Sequence, residues 1–359
     1  MVMFEELRKE IESGLRVFID EAGKEYGLRK NARMLFEGLK DFILRDGKRI
    51  RPMLFLLGYL GYTKRRKIDR KKLIRSAIAI ELLHDFFLIH DDIIDRSDYR
   101  RGKLTLHKMF NKSLGLKHAD GTGSMLGIAA GDMLYSLSMK AFLSIEEDHE
   151  LKIHAFSQFI NAAAYTCLGE YDDVKAGLSD IKKIKERDVL NIYTSKTARY
   201  TFECPLVTGA ILAGCARKEI VKISKMAILL GMGFQIIDDM GDLLLTSHEQ
   251  GKTAYSDLVE SKKTLLVIIA FNKMSSLGKK LFQRSFSKVN KSESDIAKMV
   301  ELITKTNAPI SCLKKAFSLI CSSKSLASSL KCKKEFKNIL LKKIFDPLNA
   351  KIEKLHSRL

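Results

Sequence analysis

Only four prolines interrupt the 359 residues, Pro52, Pro205, Pro309 and Pro347, so long segments are free to run as continuous helix. Alternating stretches that would mark half-buried strands are scarce, and helical periodicity dominates. No apolar run approaches the roughly 18 residues that span a bilayer. The longest, PLVTGAILAGC at 205–215, reads as buried helix. The opening MVMFEELRKEIESGLRVFIDEAG mixes acids and bases and lacks a signal-peptide pattern. Instead, Phe4, Leu7, Ile11, Leu15 and Phe18 line one helical face. Six cysteines (Cys167, Cys204, Cys215, Cys312, Cys321, Cys332) stand without CxxC pairs or nearby His partners. That disfavours a disulfide or zinc framework and points to free thiols in a reducing, cytoplasmic compartment. A GxxxxGK[ST] loop is missing, which argues against an ordinary P-loop nucleotide site. The zinc-finger, RNP and KH patterns of nucleic-acid binders are missing too.

What is present is a globular composition, 46% hydrophobic and 30% charged, long enough to bury a large core. Turn signals recur as RDGKRIRP at 45–52, GYTKRRKID at 61–69, KHADGTGS at 117–124, AGLSD at 176–180, TSHEQGKTAYSD at 246–257 and a Ser/Lys-rich 284–296. No fixed-period repeat or domain boundary stands out, so the expectation is one large all-α bundle over 1–359. The formal charge of +20 is uneven: residues 271–359 hold 20 Lys and Arg against 6 Asp and Glu. Runs such as KCKKEFK read first as a solvated helical face, with a membrane-surface contact as the alternative.

Two acidic stretches carry the chemistry. In HDDIID, Asp91 and Asp95 are four apart and share one helix face. FQIIDDMGD repeats the spacing with Asp238 and Asp242. Carboxylates set in apolar sequence are costly unless something positive sits on them, and hard oxygen ligands of this kind suit magnesium with substrate phosphates. The bases match a polyanion: Lys48, Arg49 and Arg51 in GKRIRP, Arg100 and Arg101 after the first acids, Lys196 and Thr197 in YTSKTA, Lys252 in GKTAYSD, and Lys262 and Lys263 in ESKKTL. Together they would hold diphosphates through Arg forks and Lys point charges.

With these motifs the chain resembles the trans-type isoprenyl diphosphate synthases, or polyprenyl synthetases. The match runs in family order from about residue 40 to about 270: GKRIRP, HDDIIDRSDYRRG, GD at 131–132, GEYDD at 169–173, SKTA, GFQIIDDMGD, then GK…SDL.ESKKT. The resemblance implies an antiparallel all-α bundle with a central cavity, a homodimer, and head-to-tail condensation of isopentenyl diphosphate with an allylic diphosphate. It implies three magnesium ions: Asp91 and Asp95 would hold two and Asp238 the third, supported by Asp92, Asp239 and Asp242. Arg100, Lys196, Gln235 and Lys252 would grip the allylic diphosphate, and Lys48, Arg51, His84 and Arg101 isopentenyl diphosphate. Thr197 would shield the allylic cation, and the last proton would leave to the departing diphosphate. His90 and His107 lack such a match and read as structural. The family's EGK.T stands here as ESKKT, with Ser261 for glycine, leaving open which of Lys262 and Lys263 reaches a phosphate. The loop at 111–125 and the tail beyond about 285 match no motif.

Phe86 and Phe87 precede Asp91 by five and four residues, and position i−4 lies about 5 Å deeper on the Asp91 face. A growing chain anchored at the aspartates would meet these rings. In the family an aromatic pair stops elongation early, which favours farnesyl diphosphate, with geranylgeranyl diphosphate as the close variant. A terpene cyclase would not need Lys48, Arg51 and His84, and a non-catalytic synthase subunit would be expected to lose metal ligands that this chain keeps.

Overall fold

The structure is a computed structural model that describes residues 2–115, 121–246 and 254–359. Among the described residues every regular element is a helix apart from one hairpin of two two-residue strands, so the all-α expectation holds. In order the helices are α1 (Val2–Glu25), α2 (Leu28–Asn31), α3 (Arg33–Ile43), α4 (Ile50–Tyr62) and α5 (Arg70–Ile94). A hairpin then pairs β1 (Tyr99–Arg100) with β2 (Lys103–Leu104). After it come α6 (Leu106–Ser113), α7 (Thr122–Phe142), α8 (His149–Leu178), a short 3-10 turn and α9 (Glu186–Ile192). A π-helical stretch, Tyr193–Glu203, leads into α10 (Cys204–Leu212) and α11 (Arg217–Leu244). The rest is α12 (Ser256–Val259), α13 (Leu265–Lys273), α14 (Ser276–Phe286), α15 (Glu293–Thr304), α16 (Ala308–Ser328), α17 (Lys334–Leu340), a second π turn at Leu341–Phe345, and α18 (Asp346–His356).

The chain gathers into two compact units. The first comprises residues 1–157 and 208–215, the second 158–207 and 216–359. In the first, α5 is the axis. Asp69 caps it by accepting the Lys72 N–H at 3.1 Å, and no proline or glycine breaks its 25 residues. Its middle is buried on every side, which explains its weak amphipathic pattern. Helix α7 packs against it, where the Ser76 hydroxyl donates to the Phe142 carbonyl at 2.8 Å.

The second unit is built on α11, which packs against α16 and the Tyr193–Glu203 stretch. Ser323 ties α16 to α11 by donating to the Met226 carbonyl at 2.7 Å. By length and composition α11 is apolar enough to cross a membrane, contrary to the sequence expectation. Its end instead carries three aspartates, two of them buried, and its length serves a helix flanked by protein. Gly231 permits a close approach of α11 to that stretch: a Cβ there would lie 2.5 Å from the Cα of Ala198.

Candidate active site

The first acidic cluster sits where α5 ends. Asp91 and Asp95 are partly exposed, with Asp95 as the C-cap. Asp92 is buried, and its Oδ1 accepts from Arg100 Nε at 2.7 Å and pairs with Nη2 at 2.6 Å. Burial raises the Asp92 carboxyl and the guanidinium pulls it back. The hairpin thus delivers Arg100 to the acid between the two outward ones. Arg101 follows at φ 53°, a left-handed residue, and a Cβ on Gly47 would lie 3.4 Å from its Nη1. Side chains in that region cost about 1–2 kcal/mol each, and Arg49, at φ 47° before α4, shares it.

Below the aspartates, His84 is buried. Burial, then Arg51, Arg101, Arg100 and Arg49, hold its imidazole well below its ordinary range, so it is neutral near pH 7. Arg51 is partly exposed and Lys48 exposed. Arg49 is fully enclosed: Nη1 donates to Glu81 at 2.8 Å, and Nη2 to the carbonyls of Ile43 and Arg45 at 2.9 and 2.7 Å. Phe86 and Phe87 are buried, their ring centroids 4.9 Å apart. Phe86 also meets His90 at 4.6 Å and Tyr135 of α7 at 5.2 Å. The glycine of the GD pair now has a reason: a Cβ on Gly131 would fall 2.4 Å from the His90 ring. His90 faces Asp132 at 3.6 Å.

The second cluster is sorted the same way. Asp238 is the exposed member, with a side chain 42% accessible and Lys351 of α18 at 3.7 Å. Asp239 is buried, accepting from the Tyr193 hydroxyl and from Gln235 Nε2 at 2.8 Å. Burial and Asp257 hold its carboxyl well above the usual range. Asp242 is buried too and organises the next segment, accepting from Ser256 Oγ at 2.8 Å and the Asp257 N–H at 3.0 Å. Thr197 donates to Gln235 Oε1 at 2.8 Å, and the Leu265 N–H donates to Tyr193 at 2.8 Å. A polar relay therefore runs from Thr197 through Gln235 and Asp239 to Tyr193.

Lys196 stands in the π-helical stretch, whose wider turn is a rare form often found at functional sites. Its ammonium meets Glu170 at 2.6 Å and Asp173 at 2.7 Å, both from GEYDD. Lys263 is buried and donates to the Gly177 carbonyl at 2.6 Å, whereas Lys262 meets Glu260 at 2.7 Å. Ser261, in the glycine position of the motif, has φ 59°. Its hydroxyl donates to the Phe286 carbonyl at 2.8 Å and accepts from Lys291 at 2.7 Å, contacts no glycine could make. Lys252 and part of the 111–125 loop lie outside the described residues.

Sequence reasoning missed Tyr193, Glu81 and Lys351. Each reaches its partner over a long sequence distance, and no local pattern announces it. Among the described residues no three Asp, Glu, His or Cys side chains converge into an all-protein metal cage. Magnesium needs none: it keeps waters and takes one or two carboxylates with substrate phosphates. Asp91 and Asp95, one turn apart and partly open, fit that habit.

In the first unit, partly exposed carboxylates at the end of α5 follow buried aromatics one turn earlier, with arginines from the start of α4 and from the hairpin close to that helix, residue types that suit an anionic, partly apolar substrate. The comparisons agree. A family model described as polyprenyl synthetase matches residues 33–303. The short chain isoprenyl diphosphate synthase of Methanocaldococcus jannaschii is 29% identical over 304 residues, 84% of this chain and 83% of that one. The geranylgeranyl diphosphate synthase of Methanosarcina mazei is 30% identical over 67% of this chain and 68% of its own. The crystal structure of geranylgeranyl pyrophosphate synthase from Corynebacterium glutamicum, itself complexed with isoprenyl diphosphate and magnesium, superposes with a TM-score of 0.86. It covers 98% of this chain and 99% of that one at 24% identity, which speaks for the fold alone. The chain belongs to the polyprenyl synthetase family and is, with that family, a trans-prenyltransferase.

Proposed function

We propose that the protein is a magnesium-dependent short-chain prenyl diphosphate synthase whose main product is farnesyl diphosphate. In this reading residues 1–359 serve one activity, in a cytoplasmic homodimer. The observation that carries it is the sorting of the six aspartates by burial. Asp91, Asp95 and Asp238 are at least partly exposed, whereas Asp92, Asp239 and Asp242 are buried in ties to Arg100, Tyr193 and Ser256. The first three are the metal ligands and the second three hold the ligand-bearing turns in shape, since outer partners orient and tune a metal's ligands.

Magnesium held by Asp91, Asp95 and Asp238 would supply electrostatic stabilisation of the negative charge that develops on the leaving diphosphate. Arg100, Lys196, Gln235 and Lys252 bind and orient the allylic diphosphate. Lys48, Arg51, Arg101 and neutral His84 position isopentenyl diphosphate, with Lys262 a further phosphate contact. His84 neutral is a hydrogen-bond donor without a fixed charge. Lys196 exchanges part of its pairing with Glu170 and Asp173 for the substrate. Thr197, fixed by Gln235, turns its oxygen toward the allylic cation. The final proton goes to the departing diphosphate, so no protein base is needed.

The buried Phe86–Phe87 pair supports a short product. A geranylgeranyl product is the second reading, favoured by the names of several relatives, including those from Methanosarcina mazei and Saccharolobus solfataricus. Purified protein incubated with magnesium, isopentenyl diphosphate and each allylic primer in turn tests both, with chromatography of the dephosphorylated products. Farnesol as the main species supports the first reading and geranylgeraniol the second. No condensation with any primer, or loss of none of it on chelation, sinks the proposal.

A further inference from the structure

Helix α5 presents Glu81, Asp85 and Asp92 at i, i+4 and i+11, a single face of three acids. All three are buried, at 2%, 0% and 0% exposure. Glu81 has Arg49 and Asp92 has Arg100. Asp85 has no such bond: neither carboxylate oxygen has a hydrogen-bond partner among the described residues. Buried polar atoms are nearly always paired, so an orphaned carboxyl calls for a reason.

Its surroundings supply one. Arg49 and Arg51 at the start of α4 and Arg101 of the hairpin act on Asp85 as positive charges, and Glu81 one turn away acts as a negative one. His84 beside it is neutral, Arg100 is engaged by Asp92, and Glu12 of α1 bears on Arg49. Burial and Glu81 push the Asp85 carboxyl well above its ordinary range while the three guanidiniums pull it down. The proton on this group therefore decides how much positive charge the arginines show to an anion.

We propose that Asp85 is a positioning residue of the anion pocket, which takes up one proton when a diphosphate settles on Arg51, Arg101 and His84. As a carboxylate it cancels part of the arginine field and repels the incoming phosphates. As a neutral acid it leaves that field whole. The proton comes from solvent and no covalent bond to the substrate changes. This inference rests on the assignment of that pocket to isopentenyl diphosphate. Where Asp85 is ionised in the free protein, one linked proton weakens binding by up to about tenfold per pH unit.

Calorimetric titration of isopentenyl diphosphate into wild type and Asp85→Asn, between pH 6 and 8.5 in buffers of differing ionisation enthalpy, tests it. The ligand's own ionisation is common to both proteins, so their difference isolates Asp85. Wild type should take up more protons than the variant, and its Kd should rise with pH relative to the variant's. In wild type alone, the infrared difference spectrum should gain the carbonyl band of a protonated carboxylic acid on binding. Equal proton uptake with parallel Kd curves, and no such band, overturns the proposal while the function stands. Absence of binding to either protein overturns the pocket assignment and the proposal with it.

Discussion

Arg49 spends its guanidinium on protein groups, Glu81 and two backbone carbonyls. Its side chain is 2% exposed and that of its partner Glu81 3%. Removing one member of a buried pair leaves the other uncompensated, at about 3–5 kcal/mol. Urea denaturation should therefore show Arg49→Met destabilised by about that much, and Arg49→Met with Glu81→Met should recover most of it. If the single and double variants unfold alike, the pairing is not what holds this turn. In the proposed function Phe86 and Phe87 act on product instead. Phe86→Ala with Phe87→Ser should move the main product at least one isoprene unit longer by chromatography, and an unchanged product removes the rings from chain-length control. At this scale the paired aspartates and the arginines stood out as candidates because magnesium and a polyanion call for those types, whereas His84 stood out only through the family resemblance. The division into exposed and tied aspartates was not, because it depends on Arg100, Tyr193 and Ser256, which lie 8, 46 and 14 residues from their partners.

At the level of elements, the π-helical stretch Tyr193–Glu203 and α11 approach at Gly231, where a Cβ would lie 2.5 Å from both Cα and Cβ of Ala198. Helical backbone cannot yield there without moving the relay of Thr197, Gln235 and Asp239. Gly231→Ala should cost about 1–3 kcal/mol by overpacking and lower kcat about tenfold or more, since small displacements of positioning groups are expensive. A melting curve and steady-state kinetics check both, and a variant with wild-type kcat would show that the two helices can part freely. Helices and their motifs were legible from periodicity, whereas the cap at Asp69 was not read in advance. The wide turn was not, because SKTA carries no signal for an i→i+5 bond. Ser261 was legible as a departure, but its hold on Phe286 and Lys291 needed the fold.

For the whole molecule, the all-α class was readable from scarce proline and persistent helical periodicity, and the two-unit grouping of the chain was not. Met125 and Ile128 on α7 are 66% and 45% exposed, apolar side chains one turn apart that support the proposed homodimer. Light scattering on a sizing column should return twice the chain's 40.7 kDa, and a monomer at micromolar concentration would refute that part of the reading. The basic C-terminal region had no motif to read. Its last helix, α18, nonetheless packs on α11 and brings Lys351 to 3.7 Å from Asp238, a half-exposed pair worth little to stability.

The chain contains no tryptophan, and Tyr135 lies ring against ring with Phe86. An indole placed at that one position would be the molecule's sole long-wavelength emitter, seated against the proposed floor of the product chamber. In the proposed function, the arrival of each added isoprene unit would then be timed as a step in light, and a stack proposed to measure the chain would become a clock for its growth.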